Sequence, residues 1–139
     1  MKKQIAIIAG GDSSEHDVSL RSAAGILSFM DSSKYECYIV EQHGRDMHVN
    51  VEGQQYPIDL NDFSFEKEGV RRTFDFAYIT IHGTPGENGI LQGYFDLIGL
   101  PYSTSGVLVE ALTFNKFALN NYLRSLPNLH VSDSIMVRR

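Results

Sequence analysis

Cysteine is almost absent from the 139-residue chain, where Cys37 stands alone. That excludes an intramolecular disulfide framework and a cysteine-based zinc site. A lone thiol in an apolar, strand-like stretch reads as an inert group suited to reducing surroundings, so a cytoplasmic location is expected. Long apolar runs are missing as well. None approaches the ~20 residues of a membrane span, and the opening MKKQIAIIAGG turns glycine-rich before a signal-like segment develops. No membrane partner is expected. An excess of positive charge is also lacking: 12 Lys plus Arg against 17 Asp plus Glu leave a net charge of −5. This is the wrong sign for general phosphate-backbone binding, so no nucleic-acid partner is expected. There is no repeat of solenoid length and no low-complexity tract.

What is present is an ordinary globular composition, 42% hydrophobic and 21% charged, enough for one core-forming domain and the beginning of a second. Gln4 to Ala9 is a β-branched and apolar run ending in Gly10-Gly11, the pattern of a central strand buried on both faces. From Ser14 to Met30, the residues Leu20, Ala23, Ala24, Leu27 and Met30 fall at helical spacing, and Ser14 with Asp17 resembles a capping box. Tyr35 to Val40 reads as the next strand, so the first forty residues form a βαβ unit. Asp46 to Ile58 is consistent with a hairpin about Glu52-Gly53, and Asn61 to Thr73 reads as a polar surface loop. Asp75 to Ile81 gives a second apolar strand leading into His82-Gly83 and a further glycine-rich loop. Helices are expected at Ile90 to Ile98, closed by Gly99, at Gly106 to Leu112, and at Phe114 to Leu126, ended by Pro127, with an extended piece at Pro101-Tyr102 between the first two. Val131 to Arg139 reads as a further strand.

In an open parallel α/β sheet, ligands bind beyond the carboxyl ends of the strands. Two such loops are rich in glycine and polar groups. The first, Gly10 to His16, lacks dinucleotide-fingerprint spacing and the Gly-Lys-Ser/Thr of a phosphate loop. It opens its helix with Glu15, whose ionised form the helix dipole favours. Such a carboxylate can hold an ammonium group, or it can merely complement the dipole. The second loop begins at His82, which can contact a carboxylate or phosphoryl oxygen, or serve as a hydrogen-bonded structural residue. Gly83, Gly86 and Gly89 read as backbone punctuation, Glu87 as a loop acid that either takes part in the site or is simply solvated, and Lys116 as a helix-surface lysine. His16, His43, His48 and His130 have no metal-ligand spacing, and surface or structural roles are expected for them.

Three ordered blocks carry a more specific signal. GGDSSEHDVSLRSA from Gly10 to Ala23, HGTPGENGILQGYFDLIGLPY from His82 to Tyr102, and SGVLVEALTFNK from Ser105 to Lys116 resemble the N-terminal part of the D-alanine–D-alanine ligases. The resemblance covers essentially the whole chain except Asp46 to Thr73. It implies a Rossmann-like α/β domain of the kind that precedes an ATP-grasp fold, with a mainly parallel sheet flanked by helices. Residues 1–126 would form the substrate domain, and 127–139 a linker and the first strand of an ATP-grasp domain.

It further implies an ATP-dependent ligase of peptidoglycan precursor synthesis, working with Mg2+ or Mn2+, a homodimer, and D-alanine as substrate. By the resemblance, Glu15 holds the ammonium of the first D-alanine, Val18 packs near its methyl group, and His82 lies beside the reacting carboxylate. Lys116 approaches the nucleotide phosphates. The metal-binding acids, the adenine pocket and the groups that orient Glu15 would lie in domains outside these residues, so the chain alone is expected to be inactive. Three departures from the family pattern are Asn88 and Asn115, where Asp is usual, and Ser103-Thr104-Ser105, where a further glycine is common. The alternative reading is a non-catalytic amino-acid-binding or dimerisation module of the same fold. A ligase joining D-alanine to a hydroxy acid or another residue also stays open.

Overall fold

The computed structural model describes residues 1–137. Its centre is β1 (Lys3–Gly10), whose last six residues are all buried, as the unbroken apolar run predicts. Parallel neighbours flank it on both sides: β2 (Tyr35–His43), paired from Lys3–Tyr35 to Gly10–Gln42, and β7 (Phe76–Ile79), paired from Ile5–Phe76 to Ile8–Ile79. The helix α1 (His16–Phe29) makes the crossover from β1 to β2. Beyond β2 the sheet continues antiparallel through the hairpin β3 (Asp46–Val51) and β4 (Gln54–Pro57), giving the order β4-β3-β2-β1-β7. Glu52 and Gly53 both take positive φ at the hairpin tip, the turn that matches strand twist. On the other side, Tyr102 adds a parallel bridge to Ala77.

Strand alternation divides the core into two layers. Ile5, Ile7 and Ala9 point toward α1 and pack with Ala23, Leu20, Ile26 and Met30. Ala6, Ile8, Val40, Ala77 and Ile79 face the other way, onto Leu91 and Phe95 of α2 (Ile90–Ile98) and onto Phe63 and Phe65. Gly99 closes α2 in the left-handed conformation. Two shorter helices follow, α3 (Val107–Phe114) and α4 (Lys116–Leu123), separated at Asn115, whose side chain accepts the Ala118 N–H and so starts α4. Burial also pushes the Cys37 thiol up from its ordinary pKa, away from the reactive thiolate.

Four expectations need correction. The segment Asn61 to Thr73 is not a simple surface loop. It contains the hairpin β5 (Phe65–Lys67) and β6 (Val70–Arg72), and Phe63, Ser64 and Phe65 are buried. Arg71 ties this hairpin down through Asp59 at 3.1 Å and Asp62 at 2.6 Å. The capping box at Ser14 and Asp17 does not form: α1 begins at His16, with Glu15 at its N-cap and no side-chain cap bond. The inward face of α1 buries Ser19 and Ala23 and half-buries Leu20 and Ile26, with Met30 at its C-cap, while Ala24 and Leu27 are exposed. Ser19 lies on the inward face, where its hydroxyl makes buried hydrogen bonds. Finally, residues 131–137 carry no regular secondary structure. A strand needs a partner for its ladder, and none is paired to this segment among the described residues; 138 and 139 lie outside them.

Phe63, fully buried, sits edge-on to Phe95 at 5.0 Å and near Phe74 and Tyr94. Phe63→Ala is expected to lower the unfolding free energy by about 3–5 kcal/mol, seen in urea titration as a lower midpoint with an unchanged slope.

Candidate functional site

The two glycine loops leave the carboxyl ends of adjacent parallel strands and meet directly. Gly11, at φ +97°, sits so close to Ile81 that a Cβ would lie 2.5 Å from its Cγ2, and a Cβ at Gly86 would lie 2.6 Å from the Ile81 Cβ. Only glycine permits that approach from both sides. The loops are then stitched together by polar contacts. The Asp12 N–H donates to the Thr84 carbonyl at 3.0 Å. Ser13 Oγ donates to the His82 carbonyl at 2.8 Å and accepts the Glu15 N–H at 3.1 Å.

Beneath them, fully buried Ser19 Oγ accepts the Gly10 N–H at 3.0 Å and donates to the Thr80 carbonyl at 2.9 Å. One hydroxyl thus satisfies both strand ends where their ladder stops. Gln92 does similar work behind the second loop, donating to the Gly86 carbonyl at 2.7 Å and to Thr104 Oγ1 at 2.9 Å.

This framework brings Glu15 and His82 together. His82 Nδ1 lies 3.8 Å from Glu15 Oε2, with side chains 45% and 58% exposed. The separation is beyond a hydrogen bond, and at that exposure solvent screens the pair, so neither group consumes the other. The carboxylate keeps its acceptor capacity at the positive end of α1, and the imidazole stands beside it as a donor or acceptor. Val18, half-exposed, lies one helical turn beyond Glu15 on the same face. The arrangement can receive a small zwitterion: an ammonium at Glu15, a short apolar group at Val18 and a carboxylate at His82.

Lys116 belongs to a different cleft, of about 380 Å³, lined also by Glu87, Glu110, Thr113 and Phe114. The two places are linked by Glu87, whose carboxylate accepts the Gly83 N–H. Lys116 is the first residue of α4 and forms no ion pair among the described residues. A cation at a helix N-terminus opposes the dipole, so the position does not stabilise the helix. Its ammonium fits a single phosphate contact, but two carboxylates in the same cleft do not fit a whole polyphosphate. No group of three His, Cys, Asp or Glu side chains is placed to hold a metal among the described residues.

Sequence reasoning missed Ser13, Ser19, Gln92 and the gathering of histidines about Glu41. The signal for Ser19 and Gln92 was a polar residue on the apolar stripe of a helix. Nothing in the sequence indicated that His16 and His48 would flank one carboxylate, because they sit on separate elements. The departures from the family pattern prove well accommodated. Asn88 Nδ2 donates to Thr84 Oγ1, which an ionised Asp cannot do. Asn115 caps α4, and Ser103 Oγ accepts the Ile79 N–H at 3.0 Å.

The family described as "D-ala D-ala ligase N-terminus" matches residues 4–105. A D-alanine–D-alanine ligase of Phocaeicola vulgatus is 59% identical over 140 residues, covering 100% of this chain and 43% of that protein. The chain therefore spans about two fifths of the length of such relatives. Among solved structures, the D-alanyl-alanine synthetase A of Vibrio cholerae superposes with a TM-score of 0.79 at 30% identity, covering 89% of this chain and 37% of that one. The ATP complex of the Bacillus anthracis D-alanine–D-alanine ligase superposes at 0.68 and 28% identity, covering 89% and 35%.

Removal of the Ser19 hydroxyl leaves the buried Gly10 N–H without an acceptor. Ser19→Ala should cost about 1–3 kcal/mol, and hydrogen exchange at Gly10 should accelerate; unchanged protection there would refute the bridging role.

Proposed function

The chain belongs to the D-ala D-ala ligase N-terminus family, and from that premise we propose that it is the first-substrate part of an ATP-dependent D-alanine–D-alanine ligase of peptidoglycan precursor synthesis. One observation carries the reading: Glu15 at the start of α1 and His82 at the end of the neighbouring strand stand 3.8 Å apart, partly exposed and beyond hydrogen-bond distance of each other. Residues 1–126 act as the substrate domain, and 127–139 lead into the next.

Glu15 holds the ammonium of the first D-alanine, aided by the helix field. Val18 packs against the methyl group, and His82 orients the carboxylate and stabilises charge that develops on it. Lys116 contributes one contact to the nucleotide phosphates. ATP, when bound with Mg2+ or Mn2+, supplies activation of that carboxylate for attack by a second amine. The Lys116 cleft holds too few cations for a nucleotide, so most nucleotide and metal contacts are assigned to the remainder of the ligase. The setting is the cytoplasm, where the nucleotide is available.

We also propose a homodimer. Ile90, Leu97, Leu108 and Phe114 are exposed on α2 and α3, with Leu97 at 84% and Leu108 at 78%. An apolar surface of this kind suits a subunit or domain contact.

The purified 139-residue chain should show no ATP-dependent D-alanyl-D-alanine formation, while the complete ligase carrying it does. In that ligase, Glu15→Gln should lower kcat/KM by about 1.5–3 kcal/mol, roughly 10- to 150-fold. Turnover by the chain alone, or an unchanged specificity constant, would remove the reading. Sedimentation at several concentrations should show self-association; a strictly monomeric ligase excludes the dimer.

A further inference from the structure

Three histidines from separate elements gather near Glu41 of β2. His16 Nδ1 lies 2.9 Å from the Gly11 carbonyl oxygen, and its Nε2 lies 3.3 Å from Glu41 Oε1. Both of these partners only accept. A neutral imidazole has one N–H, so it would set a lone pair against one of the two oxygens, whereas the imidazolium satisfies both. His48 of β3 differs. Its Nε2 lies 3.0 Å from Gln55 Nε2, an amide donor, and 3.5 Å from Glu41 Oε2. Gln55 offers that nitrogen an N–H, and the Glu41 oxygen it approaches is Oε2, also reached by Asn50 Nδ2, while Oε1 faces His16.

The His16 ring is also wedged against the chain. A Cβ at Gly10 would lie 2.9 Å from the ring Cε1. His43 of β2 meets it edge-on, with centroids 5.4 Å apart. The charged and titratable groups facing the ring are Glu41 and His43 from β2 and Asp17 of α1, with His48 of β3 on the far oxygen of Glu41. His16 is the first residue of α1 and follows Glu15 directly. It thus ties that first turn to the end of β1 and to β2 at once.

We propose that His16 is a positioning residue, whose doubly protonated ring clamps the first turn of α1 to both strands, sets the Glu15 carboxylate for a substrate ammonium, and makes that capture proton-dependent. The proposal rests on the assignment of Glu15 to the ammonium. It fits the direction of titration: the bond to the Gly11 carbonyl, opposed by burial and helped by Glu41, holds His16 above its ordinary 6.5. A histidine raised on folding stabilises the fold fully below its unfolded value, and that stabilisation is lost as pH rises through the folded one. The clamp is therefore closed in mild acid and is released as pH rises through the folded value, which lies above 6.5.

The test is a pH titration by NMR of the chain labelled with nitrogen-15. Both ring nitrogens of His16 should be protonated at pH 6, with a midpoint above 6.5, and the Gly11, Ser13 and Glu15 amides should shift with the same midpoint. Glu41→Gln, which keeps the ring and the fold, should move that midpoint down. In the complete ligase, His16→Gln should raise the KM for D-alanine roughly 3- to 10-fold with kcat within about twofold. A midpoint at or below 6.5, or amides that do not follow it, overturns the clamp. Amides that do follow, in a ligase whose Glu15→Gln variant keeps its KM, overturn the assignment of Glu15 and with it the link to substrate.

Discussion

Ile81 is pinned between Gly11 and Gly86, and this double close approach is the contact on which the rest of the site depends. Two loops leaving neighbouring parallel strands would ordinarily diverge toward their own helices. Here a buried branched side chain takes the space that a Cβ on either loop would need, so the loops are forced into register. Once they touch, Ser13 can reach the His82 carbonyl and Asp12 the Thr84 carbonyl. The distance between Glu15 and His82 follows from those bonds, since each side chain is anchored within a residue or two of a cross-loop contact.

The same geometry explains why polar side chains enter the core. Parallel strands that end together leave backbone groups with no further ladder to join, and a buried N–H or C=O without a partner costs more than a hydroxyl brought in to meet it. Ser19 supplies that partner at the strand ends, and Gln92, from the other helical layer, supplies one to the Gly86 carbonyl of the second loop. With Ser19 and Ala23 inward on α1, Ile26 rather than Leu27 shares the face that packs on the sheet. The facing of α1 also sets the helix start, so packing along α1 and the placement of Glu15 are one choice. His16, held between Gly11 and Glu41, makes the final adjustment at that end.

Much of this was legible in the residues. The unbroken apolar run of β1, the glycine stops, the hairpin at Glu52-Gly53 and the αL closure at Gly99 are local signals, and each appears where the pattern places it. The hairpin at Phe65 to Arg72 was hidden because its flanks are charged, although Phe63 and Phe65 alternate with polar residues as a half-buried strand does. The strand read into the last residues fails for a complementary reason: a β-like composition is only half of a ladder, and residues 131–137 have no paired partner among the described residues. At the site, Glu15 and His82 were singled out by their place at strand ends. Ser13 and the Glu41 cluster were not, because hydroxyls and histidines gain a role only from what lies across from them.

The sequence by itself determined the α/β layering, the two strand-end loops, the chemical types available there, and, through three ordered blocks, the family. Those properties follow from local periodicity and from glycine's lack of a side chain, which act over a few residues. Only the tertiary structure decided that Glu15 and His82 share an edge while Lys116 lines a separate cleft, that Ser19 bridges two strands, and that His16 faces two acceptors at once. Hydrogen bonds and close packing reach only a few ångströms, so they are set by which strands lie side by side. The parallel pairing of β1 with β2 and β7 is what brings residues about seventy positions apart into contact.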